Sequence, residues 1–183
     1  MKPHRIFIAI NLPEDTQEQL LEYKNKWVEL PAKWAAPDTL HITLAFLGNT
    51  SDQELVDICE LLKQVGDTHQ KFSLDLTNIE YGPFGKPPRM IWAIVKQSSP
   101  LADVQEHIEQ ILDQRSTKSF SPHLTLAKLN MFKLQHMEIE EIPEIHEQIS
   151  LSFLVQSIEV MESEMKRSGP QYTIYQSIPL QAD

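Results

Sequence analysis

Two short segments of the chain repeat one polar pattern, a histidine and a threonine separated by a single residue and followed by leucine. They are residues 41–44 and 123–126. Side chains two positions apart in a β-strand point to the same face, so each segment, if extended, presents an imidazole and a hydroxyl together. The four polar side chains concerned are His41, Thr43, His123 and Thr125. If the two strands lie near each other in one sheet, these side chains can line one cleft.

This set of groups suits the cleavage of a phosphodiester. Histidine, with an ordinary pKa near 6.5, can act as acid or base around neutral pH. Two imidazoles on opposite sides of a phosphorus atom fit an in-line displacement, and threonine hydroxyls can bind the non-bridging oxygens where charge develops. No metal is required. The spacing alone leaves a structural alternative open, in which the histidines are half-buried sheet residues bonded to their threonine neighbours.

Other chemistries find less support in the sequence. Two histidines with a carboxylate could bind zinc, but the usual His-x-His, His-Glu-x-x-His and Cys-x-x-Cys spacings are absent. No Gly-x-Ser-x-Gly or glycine-rich phosphate loop occurs. The single cysteine, Cys59, lies in an apolar helical pattern, which favours a buried thiol. The sequence therefore indicates neither a serine or cysteine nucleophile nor a bound nucleoside triphosphate.

Composition limits the class of protein. The 183 residues are 41% hydrophobic, which fits one domain over 1–183, and the net charge is −10. That charge argues against a broad basic face coating long nucleic acid, although it allows a local pocket for one phosphate. No apolar run approaches the roughly 20 residues that span a membrane. We expect a cytosolic, monomeric protein with no membrane association, and the sequence identifies no protein partner.

Periodicity and turn residues predict an α+β fold. Strands are expected over 5–10, 41–47, 72–79, 90–95, 123–127, 151–155, 158–160 and 172–175. Helices are expected after Pro13, from the capping box of Ser51 and Glu54, from Ser99, and over part of 138–148. The two tetrapeptides then occupy equivalent strands of two related halves.

The chain resembles the 2H phosphoesterases, and within them the RNA 2′,3′-cyclic phosphodiesterases first described as 2′–5′ RNA ligases. The resemblance covers nearly the whole chain, in blocks that follow the family order. They are residues 5–10 with Leu12-Pro13, Lys33-Trp34, residues 40–48, Gly82-Pro83-Phe84, residues 88–92, residues 120–128, and Gly169-Pro170 with Tyr172.

The resemblance implies a bilobal α+β fold, with two pseudo-symmetric lobes of antiparallel sheet and flanking helices around a central cleft. It implies no cofactor and no metal. His41 would donate a proton to the leaving 3′ oxygen, His123 would accept one from water, and Thr43 and Thr125 would hold the phosphate. The family commonly has arginine where this chain has Lys128, a point charge without the bidentate fork.

Further substrate contacts and the substrate itself stay open. Arg89 is a candidate for binding the phosphate or the adjacent nucleotide. The alternative is that it is a surface residue after a proline turn. Phe120 and Phe46 could stack on a base, although strict alternation places Phe46 on the Leu44 face and favours packing. Substrates could be RNA 3′ ends, 2′–5′ oligonucleotides or small cyclic nucleotides. Ligation by the reverse reaction and a non-catalytic module for RNA ends or tRNA are the alternatives.

Overall fold

In the part of the chain that the structure describes, nine strands form one sheet, in which every neighbouring pair of strands is antiparallel, and four α-helices accompany it. The computed structural model describes residues 3–85, 87–114, 119–167 and 169–182. The strands are β1 (His4–Asn11), β2 (Ala32–Trp34), β3 (His41–Thr50), β4 (Phe72–Gly82), β5 (Met90–Val95), β6 (His123–Leu129), β7 (His146–Val155), β8 (Ser157–Lys166) and β9 (Gly169–Pro179). The helices are α1 (Glu14–Glu22), α2 (Asp52–Thr68), α3 (Ser99–Ile111) and the single turn α4 (Met131–Leu134).

The order of the strands divides the sheet into two similar halves. The order is β7-β4-β5-β6-β3-β1-β8-β9, and β2 adds to β6. From the middle of the sheet outward, one half consists of β6, β5, β4 and β7. These strands correspond, in the same order, to β3, β1, β8 and β9 of the other half. A helix joins the inner two strands of each half, α1 between β1 and β3 and α3 between β5 and β6. The halves meet where β3 and β6 pair at Ile42 and Leu124, which are equivalent positions of the two motifs.

The main core lies between the sheet and the helices. Apolar residues of α1, α2 and α3 pack with alternate residues of the strands, as the spacing of Leu55, Cys59 and Leu62 along α2 illustrates. The other face of β1 carries a smaller buried cluster of Phe7, Ala9 and Met161, with Tyr172 packed on it. Because β1 is buried on both of its faces, its sequence is a nearly continuous run of apolar residues.

The local signals account for the start of the long helices. Ser51 caps α2: its side chain accepts a hydrogen bond from the Glu54 backbone N–H, and the Glu54 side chain accepts one from the Ser51 N–H. This is the capping box that the sequence predicts. Pro100 occupies the first turn of α3, where its missing N–H costs nothing.

The strand predictions are confirmed, and the α+β class with them, but one helix prediction is wrong. Residues 138–148 form only a 3₁₀ turn, Ile139–Glu141, and β7 begins at His146. Pro143 cannot continue a helix, and the following residues alternate in burial as strand residues do. The sequence patterns did not predict the short elements β2 and α4. In the described part of the chain, no helix is both long enough and apolar enough to cross a membrane.

Candidate active site

The pairing of β3 with β6 brings the two motifs together. Ile42 and Leu124 are fully buried on the helix side, so the residues before and after each of them point to the opposite face of the sheet. We call this opposite face the site face. The four polar side chains form a square on it, with His41 beside Thr125 and Thr43 beside His123. Direct neighbours in such a pair have Cβ atoms about 5 Å apart and diagonal neighbours about 7–8 Å, so the two imidazoles lie at diagonal corners.

Both histidines are oriented by a backbone carbonyl two residues earlier. Nδ1 of His41 lies 2.9 Å from the Thr39 oxygen, and Nδ1 of His123 lies 2.7 Å from the Ser121 oxygen. A carbonyl only accepts, so Nδ1 carries a proton in each ring. In the neutral imidazole Nε2 is therefore the basic nitrogen, and in the imidazolium it is the acid. Each ring thus has one nitrogen available for proton transfer at the site face.

An aromatic stack supports His123 from its own half. Its ring stacks on Trp92 with centroids 3.7 Å apart and planes 22° from parallel, and Phe84 meets Trp92 edge-on at 5.8 Å. Gly82 makes room for this stack, because a Cβ there would lie 2.2 Å from a ring carbon of Trp92. The indole thus fixes the plane of the imidazole, and the glycine fixes the position of the indole.

Two aromatic rings of the other half surround His41. Its ring centroid lies 4.9 Å from that of Phe7 and 5.0 Å from that of Tyr172, which it meets edge-on. Phe7 is nearly fully buried in the smaller cluster. His41 is thus held by packing on the sheet surface, with the strand β9 providing one wall.

Burial lowers the pKa of both histidines. For His41, loss of hydration is the main cause; the hydrogen bond to the Thr39 carbonyl opposes it, and the charge of nearby His123 lowers the pKa further. For His123, loss of hydration again outweighs the hydrogen bond to Ser121. The imidazoles are therefore close enough to interact electrostatically, and burial favours the neutral form of each ring.

A bulge in each motif strand redirects the fifth residue after the histidine. Leu126 is the extra residue between the pairs Trp92–Thr125 and Ile91–Ala127, and Leu44 is the extra residue in the matching place on β3. As a result Lys128 shares the site face with His123 and Thr125. Phe46, at the equivalent position of β3, shares the site face with His41 and Thr43. The expectation that Phe46 packs with Leu44 is therefore wrong: its side chain is 75% exposed.

The family assignment follows from comparison with known proteins. The family model described as the 2′-5′ RNA ligase superfamily matches residues 13–167. The chain belongs to this superfamily of 2H phosphoesterases. The resemblance seen in the sequence is thus confirmed.

Relatives in this superfamily cover nearly the whole chain. The "RNA 2′,3′-cyclic phosphodiesterase" of Thermus thermophilus is 26% identical over 98% of this chain and 91% of its own length. The protein of the same name from Archaeoglobus fulgidus is 26% identical over 92% of this chain and 96% of its own. Among solved structures, TT0787 of Thermus thermophilus superposes with a TM-score of 0.85 at 25% identity, covering 98% of this chain and 99% of its own.

E. coli LigT, a second solved relative by fold, has been crystallised with phosphate. That structure gives a TM-score of 0.76 at 24% identity and covers 99% of each chain. At this identity the match supports the fold alone.

Two further candidates from the sequence lie outside the strands that carry the polar square. Arg89 is exposed and directly precedes β5. Phe120 is partly buried and lines a pocket with residues at the start of α3, and its carbonyl accepts a hydrogen bond from Gln97 Nε2 at 3.2 Å. A role of either side chain in binding substrate therefore stays a prediction.

The sequence did not reveal the side chains that hold the superfamily histidines in place. Phe7 lies on β1, the neighbour of β3, Trp92 lies on β5, the neighbour of β6, and Tyr172 lies about fifty residues beyond the second motif. Their contacts depend on strand register, which no local pattern shows. Among the described residues, no group of three His, Cys, Asp or Glu side chains could hold a metal ion.

Proposed function

We propose that this protein hydrolyses 2′,3′-cyclic phosphates at RNA ends to 2′-phosphomonoesters, with His41 as proton donor and His123 as proton acceptor. The observation that carries the proposal is the diagonal placement of the two imidazoles, each with Nδ1 bound to a carbonyl. The full-length relatives named RNA 2′,3′-cyclic phosphodiesterase support the choice of substrate.

The attack begins at His123. Nε2 of the neutral imidazole takes a proton from water while the water oxygen forms a bond to phosphorus. The lowered pKa keeps this nitrogen unprotonated at neutral pH. Stacking on Trp92 holds the ring plane fixed, so that the lone pair keeps one direction during the transfer.

The leaving group departs toward His41. As the bond from phosphorus to O3′ breaks, Nε2–H of the imidazolium donates its proton to that oxygen, which becomes a neutral hydroxyl. The phosphate then remains on O2′ as a monoester. His41 ends neutral and His123 ends protonated, so the pair must exchange one proton with solvent before the next turnover. Which histidine plays which role comes from the family resemblance, since the geometry is symmetric.

The remaining groups stabilise the charge that builds up on phosphorus. The hydroxyls of Thr43 and Thr125 occupy the other two corners of the square and can donate to the non-bridging oxygens. Lys128 is a cation on the same face. No step of this scheme draws on a metal ion or a cofactor.

Incubation with a short RNA ending in a 2′,3′-cyclic phosphate, in excess chelator, tests the proposal. We expect conversion to the 2′-phosphate, with kcat lowered by about 10² to 10⁴ in His41→Ala and in His123→Ala. His146→Ala is the matched control, because His146 is exposed on β7, and it should retain wild-type activity. Full activity in either motif variant would overturn the mechanism. Binding of the RNA without turnover would instead support the non-catalytic module.

A further inference from the structure

A pocket of about 420 Å³ lies where β2, β6 and α4 meet. Three lysines line it, Lys33, Lys128 and Lys133, together with Asn130. The described residues that form its wall include no Asp or Glu. This concentration of positive charge occurs in a chain whose net charge is −10, so it is a local feature and does not follow from the composition.

Strand register forces two of these lysines together. Lys33 on β2 and Lys128 on β6 are directly opposite each other, and directly opposed like charges destabilise an antiparallel pair. Lys133 adds a third charge from α4. An anion bound between the lysines would offset this repulsion.

The walls of the pocket are held in place by backbone bonds. The Asn130 N–H donates to the Pro31 carbonyl at 2.7 Å, which fastens the start of α4 to the segment before β2. The Asn130 side chain accepts a hydrogen bond from the Lys133 N–H at 3.1 Å and so caps the helical turn. The lysines therefore project from fixed backbone, so that only their side chains must be ordered when an anion binds.

The pocket adjoins the site face but lies beyond the reacting phosphate. Lys128 belongs to both, since it shares the face of His123 and Thr125 and also lines the pocket. Lys128 lies three positions beyond Thr125 on a strand that contains the bulge at Leu126, so the rise between them is at most about 10 Å. An anion between Lys33 and Lys133 is therefore a different group from the phosphate between the two threonines.

We propose that this pocket binds the phosphodiester that precedes the terminal cyclic phosphate, so that the preferred substrate is an oligonucleotide and not a mononucleotide. An RNA chain supplies a second phosphate, covalently tied to the first, along the line from the two threonines to Lys133. The inference rests on the proposed function, because it assigns the neighbouring part of the same substrate.

The test compares three substrates of the same base. They are a mononucleoside 2′,3′-cyclic phosphate, a dinucleotide ending in a 2′,3′-cyclic phosphate, and that dinucleotide with a neutral methylphosphonate in place of its internal phosphate. We expect kcat/KM for the dinucleotide to exceed the other two values by about tenfold, as for one contact to a charged group. A methylphosphonate substrate as good as the natural dinucleotide would overturn the proposal.

A second test of the proposal removes a positive charge from the pocket. In Lys133→Ala the ratio of kcat/KM for dinucleotide over mononucleotide should fall toward one, and the dependence of log KM on log salt should decrease by about 0.7 for the lost phosphate contact. Lys63→Ala is the matched control, since Lys63 pairs with Glu60 on the exposed side of α2, and it should change neither quantity. An unchanged ratio in Lys133→Ala contradicts the pocket assignment while hydrolysis by the wild type continues. Failure of the wild type to hydrolyse any of the three substrates contradicts the proposed function itself.

Discussion

The two motif histidines are alike in nearly every local respect. Each sits beside a threonine of the other strand, each donates Nδ1–H to a carbonyl two residues back, and each has a lowered pKa. Their surroundings differ in the aromatic partner, a stacked Trp92 for His123 and an edge-on Tyr172 for His41. The similarity allows either ring to give or take a proton.

The lowered pKa values predict the pH dependence of the reaction. The rate is proportional to the fraction of enzyme with one imidazole protonated and the other neutral, which is largest midway between the two pKa values. Since both pKa values lie below the ordinary 6.5 in the free enzyme, kcat/KM should peak below pH 6.5. Measurement of kcat/KM from about pH 4.5 to about pH 8.5 brackets the ordinary histidine pKa and checks this. A maximum above pH 7 would show that burial does not control these groups.

At the scale of single elements, the ends and irregularities of strands position the chemistry. The bulges at Leu44 and Leu126 bring Phe46 and Lys128 onto the site face. Gly82, the last residue of β4, leaves the space that Trp92 fills. A regular strand in either place would present a different surface to the substrate.

Gly82→Ala should uncouple the indole from the imidazole. The new Cβ would overlap ring atoms of Trp92, so the indole must move and its stack on His123 must shift. We expect a loss of stability of about 1–3 kcal/mol, typical of overpacking, and a fall in kcat of tenfold or more.

Gly85→Ala is the control for that experiment. Nothing lies within 4 Å of a Cβ at Gly85, but its φ of +68° strains any other residue, at a cost of about 1 kcal/mol. It should lose stability and keep its activity. Denaturant unfolding and single-turnover rates on both variants separate the two effects, and equal losses of activity would contradict the role of the stack.

Sequence patterns predicted the strands because alternation and β-branched residues are local signals. The His-x-Thr spacing predicted which side chains share a face, and the capping box of Ser51 and Glu54 marked the start of α2 within one residue. The positions of Phe46 and Lys128 could not be obtained in this way, because a bulge depends on the partner strand. The lysine pocket was hidden for the same reason, since Lys33 and Lys128 are far apart in the chain and meet only through register.

At the scale of the whole molecule, the two halves meet both on the sheet and on its helix side. On the sheet, β3 and β6 pair at one residue of each strand, and β2 pairs with β6 over three residues. On the helix side, α2 and α3 touch, and there Nε2 of His69 lies 3.0 Å from Nδ1 of His107. One of these nitrogens must donate and the other accept, so the bond requires at least one neutral ring.

Acid should weaken this junction. Burial, followed by the charge of His107, lowers the pKa of His69, and Asp103 opposes the shift. A group whose pKa is lowered in the folded state supports stability above its unfolded pKa and loses it as the pH falls. The wild type should therefore lose more stability than His107→Gln between about pH 7 and pH 5. Denaturant titrations across that window measure the difference, and parallel curves would contradict it.

His4 should act in the opposite direction. Its Nε2 lies 2.7 Å from Asp52 and its Nδ1 2.8 Å from Glu162, linking β1 to α2 and β8. The hydrogen bonds to Asp52 and then Glu162 raise its pKa. This stabilisation is fully present below the unfolded pKa and is lost as the pH rises through the folded value. His4→Gln should thus be less stable than the wild type at about pH 5.5 and indistinguishable from it at about pH 9, as thermal unfolding at both values can show.

The near-twofold relation between the halves raises a question of direction. A perfectly symmetric site would accept the proposed RNA substrate equally well in either orientation, with the two histidines exchanging their roles. The bulge on each strand displays one residue where the halves differ in kind, a benzyl ring at Phe46 and an ammonium at Lys128. Under the proposed function, Phe46 offers a surface for an aromatic base and Lys128 a charge for a phosphate, so the two ends of the site would distinguish the two directions of an RNA strand.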